Sequence, residues 1–305
     1  MSDTSTTLLV SICTYQRTQL LKELLDSLQY AKDLAAFNIS FIVVDNDSAR
    51  SAESLCLDYS SENDLVYVSE PKRNIATVRN VGLQHAINKD FDYILFLDDD
   101  EFVCKTYFSE IQKVISTSDP DVLIGPVITL YHSDTPSWAM TSKAFERTRK
   151  VTGSKVNTGN TGNALVKISA IGDIGLFNPE YGRSGGEDSE FFYRCQSNGL
   201  SMIWCDEAEV YEYLELERCS LKYLITRAKR GGQTYSKIRR TDLNVIQKIT
   251  LVTKSVVIGL PSLCIASILI SFSAKKKGVP LLKRSIAKIS QIEGLFGKSV
   301  KMYGE

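Results

Sequence analysis

The chain has 305 residues, 43% hydrophobic and 24% charged, without a low-complexity tract or internal repeat, which excludes a fibrous or disordered protein and leaves one large domain or two smaller ones with a substantial core. Its 36 basic and 36 acidic residues cancel, but residues 1–217 carry a net −15 and residues 218–305 a net +15, so the basic C-terminal third is set toward an anionic partner, nucleic acid or a lipid surface. Seven cysteines without a C-x-x-C pair and only 2 histidines argue against a zinc site or a disulfide framework and fit a reducing compartment.

The opening MSDTSTTLLVS has neither the basic nor the apolar stretch of a secretory signal. LLVSIC (8–13) predicts a strand, and Leu20, Leu21, Leu24, Leu25 and Leu28 predict a helix after it. ISFIVVD (39–45), closed by the turn signal DNDS, predicts a second strand, followed by a helix over 49–59. LVYVSE (65–70), a helix over 75–88 and YILFLD (93–98) continue the alternation, which implies right-handed βαβ units and a mostly parallel sheet. These strands are continuous apolar runs, as expected where both sheet faces are covered. Ligands of such sheets bind beyond the carboxyl ends of the strands, where Thr14, Tyr15, Asp45 and Asp98–Asp100 fall. Further on, DVLIGPVITL (121–130) reads as one strand, 131–162 as a loop-rich insert ending in NTGNTGN, and ALVKI (164–168) as a strand. GRSGGEDSEFFYRCQSNG (182–199) reads as a glycine loop opening a helix, SMIWC and AEVYEYLE as strands, and 220–240 as a basic helix, so this half is mixed α/β.

FLDDDE sets Asp98, Asp99, Asp100 and Glu101 side by side. Ionised together they repel unless a cation sits among them; a solvated strand end leading into a helix that welcomes acids is the plain alternative. Asp98 and Asp100 straddle one residue, so an extended backbone aims them alike, as a divalent cation held by carboxylate oxygens requires. SICTYQR, VVDNDS, ATVRNVGL, FLDDDE and GGEDSEFFYR, in this order within residues 8–235, resemble the family 2 glycosyltransferases of the GT-A fold. NTGN with GGEDSEFFYR and the later Arg227-Ala-Lys-Arg segment is most similar to bacterial exopolysaccharide transferases of the succinoglycan-assembly type.

The resemblance implies a Rossmann-like α/β catalytic domain over 1–240 that moves a sugar, with inversion, from a nucleotide-diphosphate donor, a UDP-sugar. It implies that Asp98 meets the ribose and, with Asp100, holds Mn²⁺ or Mg²⁺. Asp45 would accept from the uracil ring, Tyr15 would stack on it, and Thr14, Arg17, Arg79 and Asp99 would line the same site. Asp188 would take the acceptor hydroxyl's proton, with Glu187 beside the donor; one carboxylate suffices, because inversion needs no covalent intermediate. Each residue has a plainer alternative: strand-end packing for Tyr15, a solvated helix arginine for Arg79, and an acidic helix N-terminus for Asp188 that Glu190 would serve equally. Arg227 and Arg230 would grip a diphosphate or an anionic acceptor, or face a membrane.

Ser255 to Phe272 is an uncharged run of 18 residues interrupted by Pro261, about 27 Å as a helix, flanked by basic clusters on both sides. A single crossing would place one cluster outside, against the positive-inside tendency. The expected arrangement is a re-entrant or in-plane segment with both ends cytoplasmic, with a true span and a buried core helix as alternatives. Over 279–300, Leu282, Ile286, Ile289, Ile292 and Phe296 oppose Lys283, Arg284 and Lys288, the pattern of a basic amphipathic helix on anionic lipid. Residues 241–305 are therefore expected to be membrane-associated, at the cytoplasmic side of the inner membrane. They would bring the enzyme to a lipid-linked saccharide acceptor in surface-polysaccharide synthesis. Two readings compete: a nucleotidyltransferase, which shares the acid-and-metal logic but has no need of the GGED base, and a nucleic-acid-binding protein using the basic third. The uncharged run argues against the latter.

Overall fold

In the computed structural model, which describes residues 6–33, 37–61 and 63–298, the first hundred residues alternate as their hydrophobic pattern requires. Strands β1 (Thr7–Thr14), β2 (Asn38–Asp45), β3 (Leu65–Ser69) and β4 (Tyr93–Asp98) are separated by helices α1 (Thr18–Lys32), α2 (Glu53–Ser60) and α3 (Ile75–Asn88). All four strands are parallel, and the register sets Thr14 opposite Asp45 and Cys13 opposite Asp98, which brings these residues to one end of the sheet. Alternate residues of β1 serve opposite faces: Leu8, Val10 and Ile12 join the cluster of Leu21, Leu24 and Leu28 from α1, while Leu9 joins Val78 and Leu83 from α3. Each fully buried leucine contributes about 2 kcal/mol. Asn74 starts α3 by accepting from the Ala76 and Thr77 N–H groups.

Beyond β4 the sheet turns mixed. Strand β8 (Ala164–Lys167) is antiparallel to β4, β6 (Val122–Ile124) is antiparallel to β8, and β9 (Met202–Trp204) is parallel to β6, giving the order β3-β2-β1-β4-β8-β6-β9. The single strand expected over 121–130 is two, because Pro126 cannot donate to a ladder: β7 (Val127–Leu130) belongs instead to a second sheet, with β5 (Glu101–Val103) and β10 (Val210–Tyr213). Helix α4 (Tyr107–Ser118), not anticipated above, buries Tyr107, Phe108, Ile111 and Val114 at helical spacing. The insert holds one short helix, α5 (Ser137–Ser142), and the glycine loop opens α6 (Glu187–Ser197).

The described residues form two compact units, 6–128 with 147–212, and 129–146 with 213–298. The second contains α5, α7 (Leu221–Arg239), α8 (Val245–Ser271) and α9 (Lys275–Leu295). Small residues let these helices touch: a Cβ on Gly232 of α7 would collide with the Ala287 carbonyl of α9, and one on Gly294 of α9 with the Gln233 carbonyl of α7. On its other side α9 meets α8, where a Cβ on Gly259 would lie 2.8 Å from Ile289 and one on Gly278 2.7 Å from Ile270. The expected boundary at 240 therefore separates α7 from the helix it packs on, and α7 groups with the tail.

Helix α8 corrects one sequence expectation and disfavours an alternative. It runs unbroken for 27 residues through Pro261, about 40 Å, rather than as an interrupted segment of 18. Among the described residues it is long and apolar enough to cross a membrane, and only 17% of its most apolar window is buried, so it is not a core helix. Helix α9 starts at Lys275, ahead of the expected 279, and residues 299–300 lie outside the described residues.

Candidate functional site

The carboxyl ends of β1 and β4 meet around Asp99. Thr14 Oγ1 donates to Asp99 Oδ2 at 2.8 Å and the Tyr15 N–H to the same oxygen at 3.4 Å. Arg17 Nη1 bridges Asp99 Oδ1 at 3.2 Å and Asp100 Oδ2 at 2.9 Å. Asp99 is thus a buried tie between the two strand ends. Strand β4 stops at Asp98, and residues 99–100 form a turn rather than extended backbone. The alternation argument for aiming Asp98 and Asp100 alike therefore does not apply; the turn itself brings the acids together, held by the Asp98 N–H donating to Glu101 Oε2 at 2.8 Å.

Arg79 joins this turn to α6. Its Nη2 reaches Asp98 Oδ1 at 3.0 Å and its Nη1 pairs with Glu187. The arginine is buried, so it is not the solvated helix residue allowed as an alternative. Gly185 and Gly186, with φ of 72° and 102°, turn the backbone through the left-handed region and deliver Glu187 and Asp188 into the first turn of α6. Burial pushes the Glu187 carboxyl up, against the opposing pull of Arg79. Asp188 is half-buried, and Asp188 Oδ1 accepts the Ser189 N–H at 2.6 Å. Glu190, its rival in sequence, is held by Arg194 at 2.8 Å.

Sequence reasoning missed a third cation. Arg147 Nη1 donates to Asn160 Oδ1 at 2.9 Å and its Nη2 reaches Glu212 Oε2 at 3.2 Å. No local pattern links residues so far apart; the acid within the strand AEVYEYLE and the asparagines of NTGNTGN were the available signals. Asp45 is fully buried: its Oδ1 accepts the Asp47 N–H at 2.9 Å, and its Oδ2 accepts the Ala52 N–H at 2.9 Å and the Tyr67 hydroxyl at 3.0 Å. It shapes the loop after β2 and exposes no oxygen to a base. Tyr15 is 38% exposed; its hydroxyl accepts from Arg73 Nη2 at 2.6 Å, and the Arg73 guanidinium lies 5.3 Å from the ring centre. Arg227 and Arg230 are half-buried on α7, in the second unit.

Charge at the turn is out of balance. Burial, then Asp98, Glu212 and Asp99, push the Asp100 carboxyl up to about 7, with Arg17 pulling the other way. Glu101 Oε1 and Glu187 Oε2 are buried without a hydrogen-bond partner. No three His, Cys, Asp or Glu side chains among the described residues are arranged to hold a metal by themselves. An excess of carboxylate with too few ligands for a closed cage fits a divalent cation whose shell is completed by phosphate and water. A raised pKa means the folded protein holds this proton more tightly than the unfolded chain, so stability falls as pH rises from 3.8 toward 7. Asp100→Asn removes the charge and is expected to raise the melting temperature of the ligand-free protein at pH 8 by about 3 °C, the gain fading at pH 5. An unchanged or lower melting temperature at pH 8 means that Asp100 is not under net repulsion.

A model of Glycosyl transferase family 2 matches residues 9–175, and one of Glycosyl transferase family group 2 matches 93–287. The succinoglycan biosynthesis protein ExoM of Rhizobium meliloti (strain 1021) is 30% identical over 307 residues, 97% of this chain and 95% of that protein. The mannosyltransferase PcManGT from Pyrobaculum calidifontis, solved with GDP-Man and Mn²⁺, has a TM-score of 0.64 at 16% identity, covering 96% of this chain and 88% of that one. S. aureus TarS 1–349 with UDP-GlcNAc has a TM-score of 0.55 at 16% identity, covering 94% and 92%. These two structures share the GT-A fold of this chain.

Proposed function

The chain belongs to glycosyl transferase family 2, and from that premise we propose that it is an inverting, metal-dependent hexosyltransferase acting on a lipid-linked saccharide at the cytoplasmic side of the inner membrane. The observation that carries this reading is the gathering of Asp98, Asp99, Asp100, Glu101, Glu187 and Asp188 at one end of the sheet against Arg17 and Arg79. Asp100, with Asp98, would hold Mn²⁺ or Mg²⁺, which when bound neutralises the diphosphate as it leaves. Tyr15, 38% exposed, would stack on the base, with Thr14, Arg17 and the buried Asp99 supporting that strand end from beneath. Asp188 would accept the proton of the acceptor hydroxyl as its oxygen bonds to the anomeric carbon. The bond from that carbon to the diphosphate oxygen breaks in the same step, and the leaving nucleoside diphosphate keeps the electron pair. A UDP-sugar is the donor favoured by the motifs, and surface-polysaccharide synthesis is the setting favoured by the likeness to ExoM. Lipid linkage of the acceptor is supported by the exposed apolar side of α8 within a basic third of the chain. The same exposed side disfavours nucleic acid as the partner.

The test is release of nucleoside diphosphate by the full-length protein from a panel of UDP-, GDP- and dTDP-sugars, given lipid extract as acceptor source. UDP release that stops with EDTA and returns with Mn²⁺ is expected. Pyrophosphate instead of nucleoside diphosphate would identify a nucleotidyltransferase and overturn the proposal. Asp100→Ala, which deletes a ligand, is expected to weaken UDP binding in Mn²⁺ by about tenfold or more in calorimetry. Unchanged affinity removes Asp100 from the cation site.

A further inference from the structure

We infer that α8 engages an anionic bilayer lying in its plane, as the outer member of a helical hairpin at the lipid–water interface, and does not cross the membrane. The inference rests on the membrane association proposed above and goes further, to the geometry of the contact.

The two sides of α8 differ in kind. Its buried positions are small, Ser255, Gly259 and Ala266. Its outward side is apolar, with Ile246 75%, Val257 64% and Ile268 57% exposed, and it is uncharged from Ser255 to Ser271. Helix α9 lies against the inner side at three levels, from the start of α8 to near its end. Gly278, near the start of α9, lies against Ala266 and Ile270; Ile289 lies against Gly259; and Leu295 and Phe296 share a cavity with Lys248, Ile249 and Val252 at the start of α8.

Helix α9 is itself held on its far side by polar and charged groups. Lys229 of α7 pairs with Glu293 at 3.1 Å, and Lys283 Nζ donates to the Ala144 carbonyl at 2.5 Å. For α8 to span, either α9 would enter the hydrocarbon with Lys283, Arg284 and Lys288 and with α7 attached, or the hairpin would be torn open. The first buries charges in lipid, and the second strips close helix–helix packing. The in-plane pose avoids both, sinking the apolar side to the acyl boundary while the charged sides stay in water. Arg239, Arg240, Lys248 and Lys254 precede the uncharged stretch and Lys275–Lys277 follow it, against only Asp242 and Glu293 as acids from 218 to 298. This balance selects anionic lipid over a second copy of the chain, whose identical clusters would repel.

Cys264 is an exposed cysteine in the middle of the uncharged stretch, while Cys104 is half-buried and the other five are buried. In a Cys104→Ser background of the full chain, an environment-sensitive fluorophore on Cys264 is expected to shift blue on phosphatidylglycerol-rich vesicles. Lipid spin labels near the headgroup should quench it more strongly than labels at the bilayer centre. Cysteines introduced at Thr241 and Ser273, exposed polar positions just outside the two ends of α8, with Cys264→Ser, should both react with an impermeant maleimide in inside-out membrane vesicles from expressing cells. Val257→Asp with Leu260→Asp should reduce vesicle binding at least about tenfold with an unchanged melting temperature. Strongest quenching from the bilayer centre, or labelling at only one of the two ends, overturns the in-plane geometry and leaves membrane association standing. Absence of binding to anionic vesicles, with or without a concentration-dependent dimer, overturns both.

Discussion

Asp188→Asn is expected to lower the rate of glycosyl transfer by about 10² to 10⁴ while nucleotide-sugar affinity stays within a few-fold of wild type. The amide keeps the shape of the side chain and an oxygen for the Ser189 N–H, which Asp188 Oδ1 accepts at 2.6 Å. It loses only the capacity to take a proton. The neighbouring acids are poorly placed to substitute. Glu187 is buried against Arg79, and Glu190 is tied to Arg194 by Nε at 2.8 Å and Nη2 at 3.0 Å. Glu190→Gln, which breaks an ion pair and leaves Asp188 intact, serves as the control: its transfer rate should follow its stability. The measurements are single-turnover transfer to acceptor and calorimetric affinity for the donor. Transfer above a few per cent of wild type removes Asp188 from the role of base, and an equal loss in donor affinity assigns it to the donor site instead.

The parallel half of the sheet was legible in the sequence because strands covered on both faces must be apolar at successive positions, and β1, β2 and β4 are. The motif residues could be placed at strand ends for the same reason. Legibility failed where geometry depends on residues far apart. Asp98 and Asp100 lie two residues apart, yet their arrangement is set by where β4 stops and by Arg17, Glu101 and Arg79, which sequence spacing does not show. Asp45 matched a ligand-binding position, and only the fold shows its carboxylate filled by Asp47, Ala52 and Tyr67. Helix α4 was readable, since Tyr107, Phe108, Ile111 and Val114 carry the period, but no motif drew attention to it. In the tail, Pro261 pointed to a broken segment. The structure carries the helix through it, with the small residues Ser255, Gly259 and Ala266 turned inward, which composition alone reads as weak helix formers rather than as a packing surface.

The second large effect falls on stability. Arg79→Ala is expected to cost about 3–5 kcal/mol, because it leaves the Glu187 carboxylate buried without its cation. At about 2–4 °C per kcal/mol the melting temperature should fall by about 10 °C. Most of the loss comes from Glu187 rather than Asp98, since the Asp98 side chain is 39% exposed and water can solvate it when the arginine is gone. The double variant Arg79→Ala with Glu187→Gln should therefore recover much of the stability, a non-additivity that reports the pair directly. Donor affinity should stay low in the double variant, because Arg79 is also what fixes Asp98 relative to α6. Arg79→Lys should fall between, as one ammonium cannot serve two carboxylates through separate nitrogens as the guanidinium does. Urea unfolding at constant slope separates these cases. A cost for Arg79→Ala below about 1 kcal/mol, or full recovery of donor affinity in the double variant, would show that the acid turn and α6 are held together by something other than this arginine.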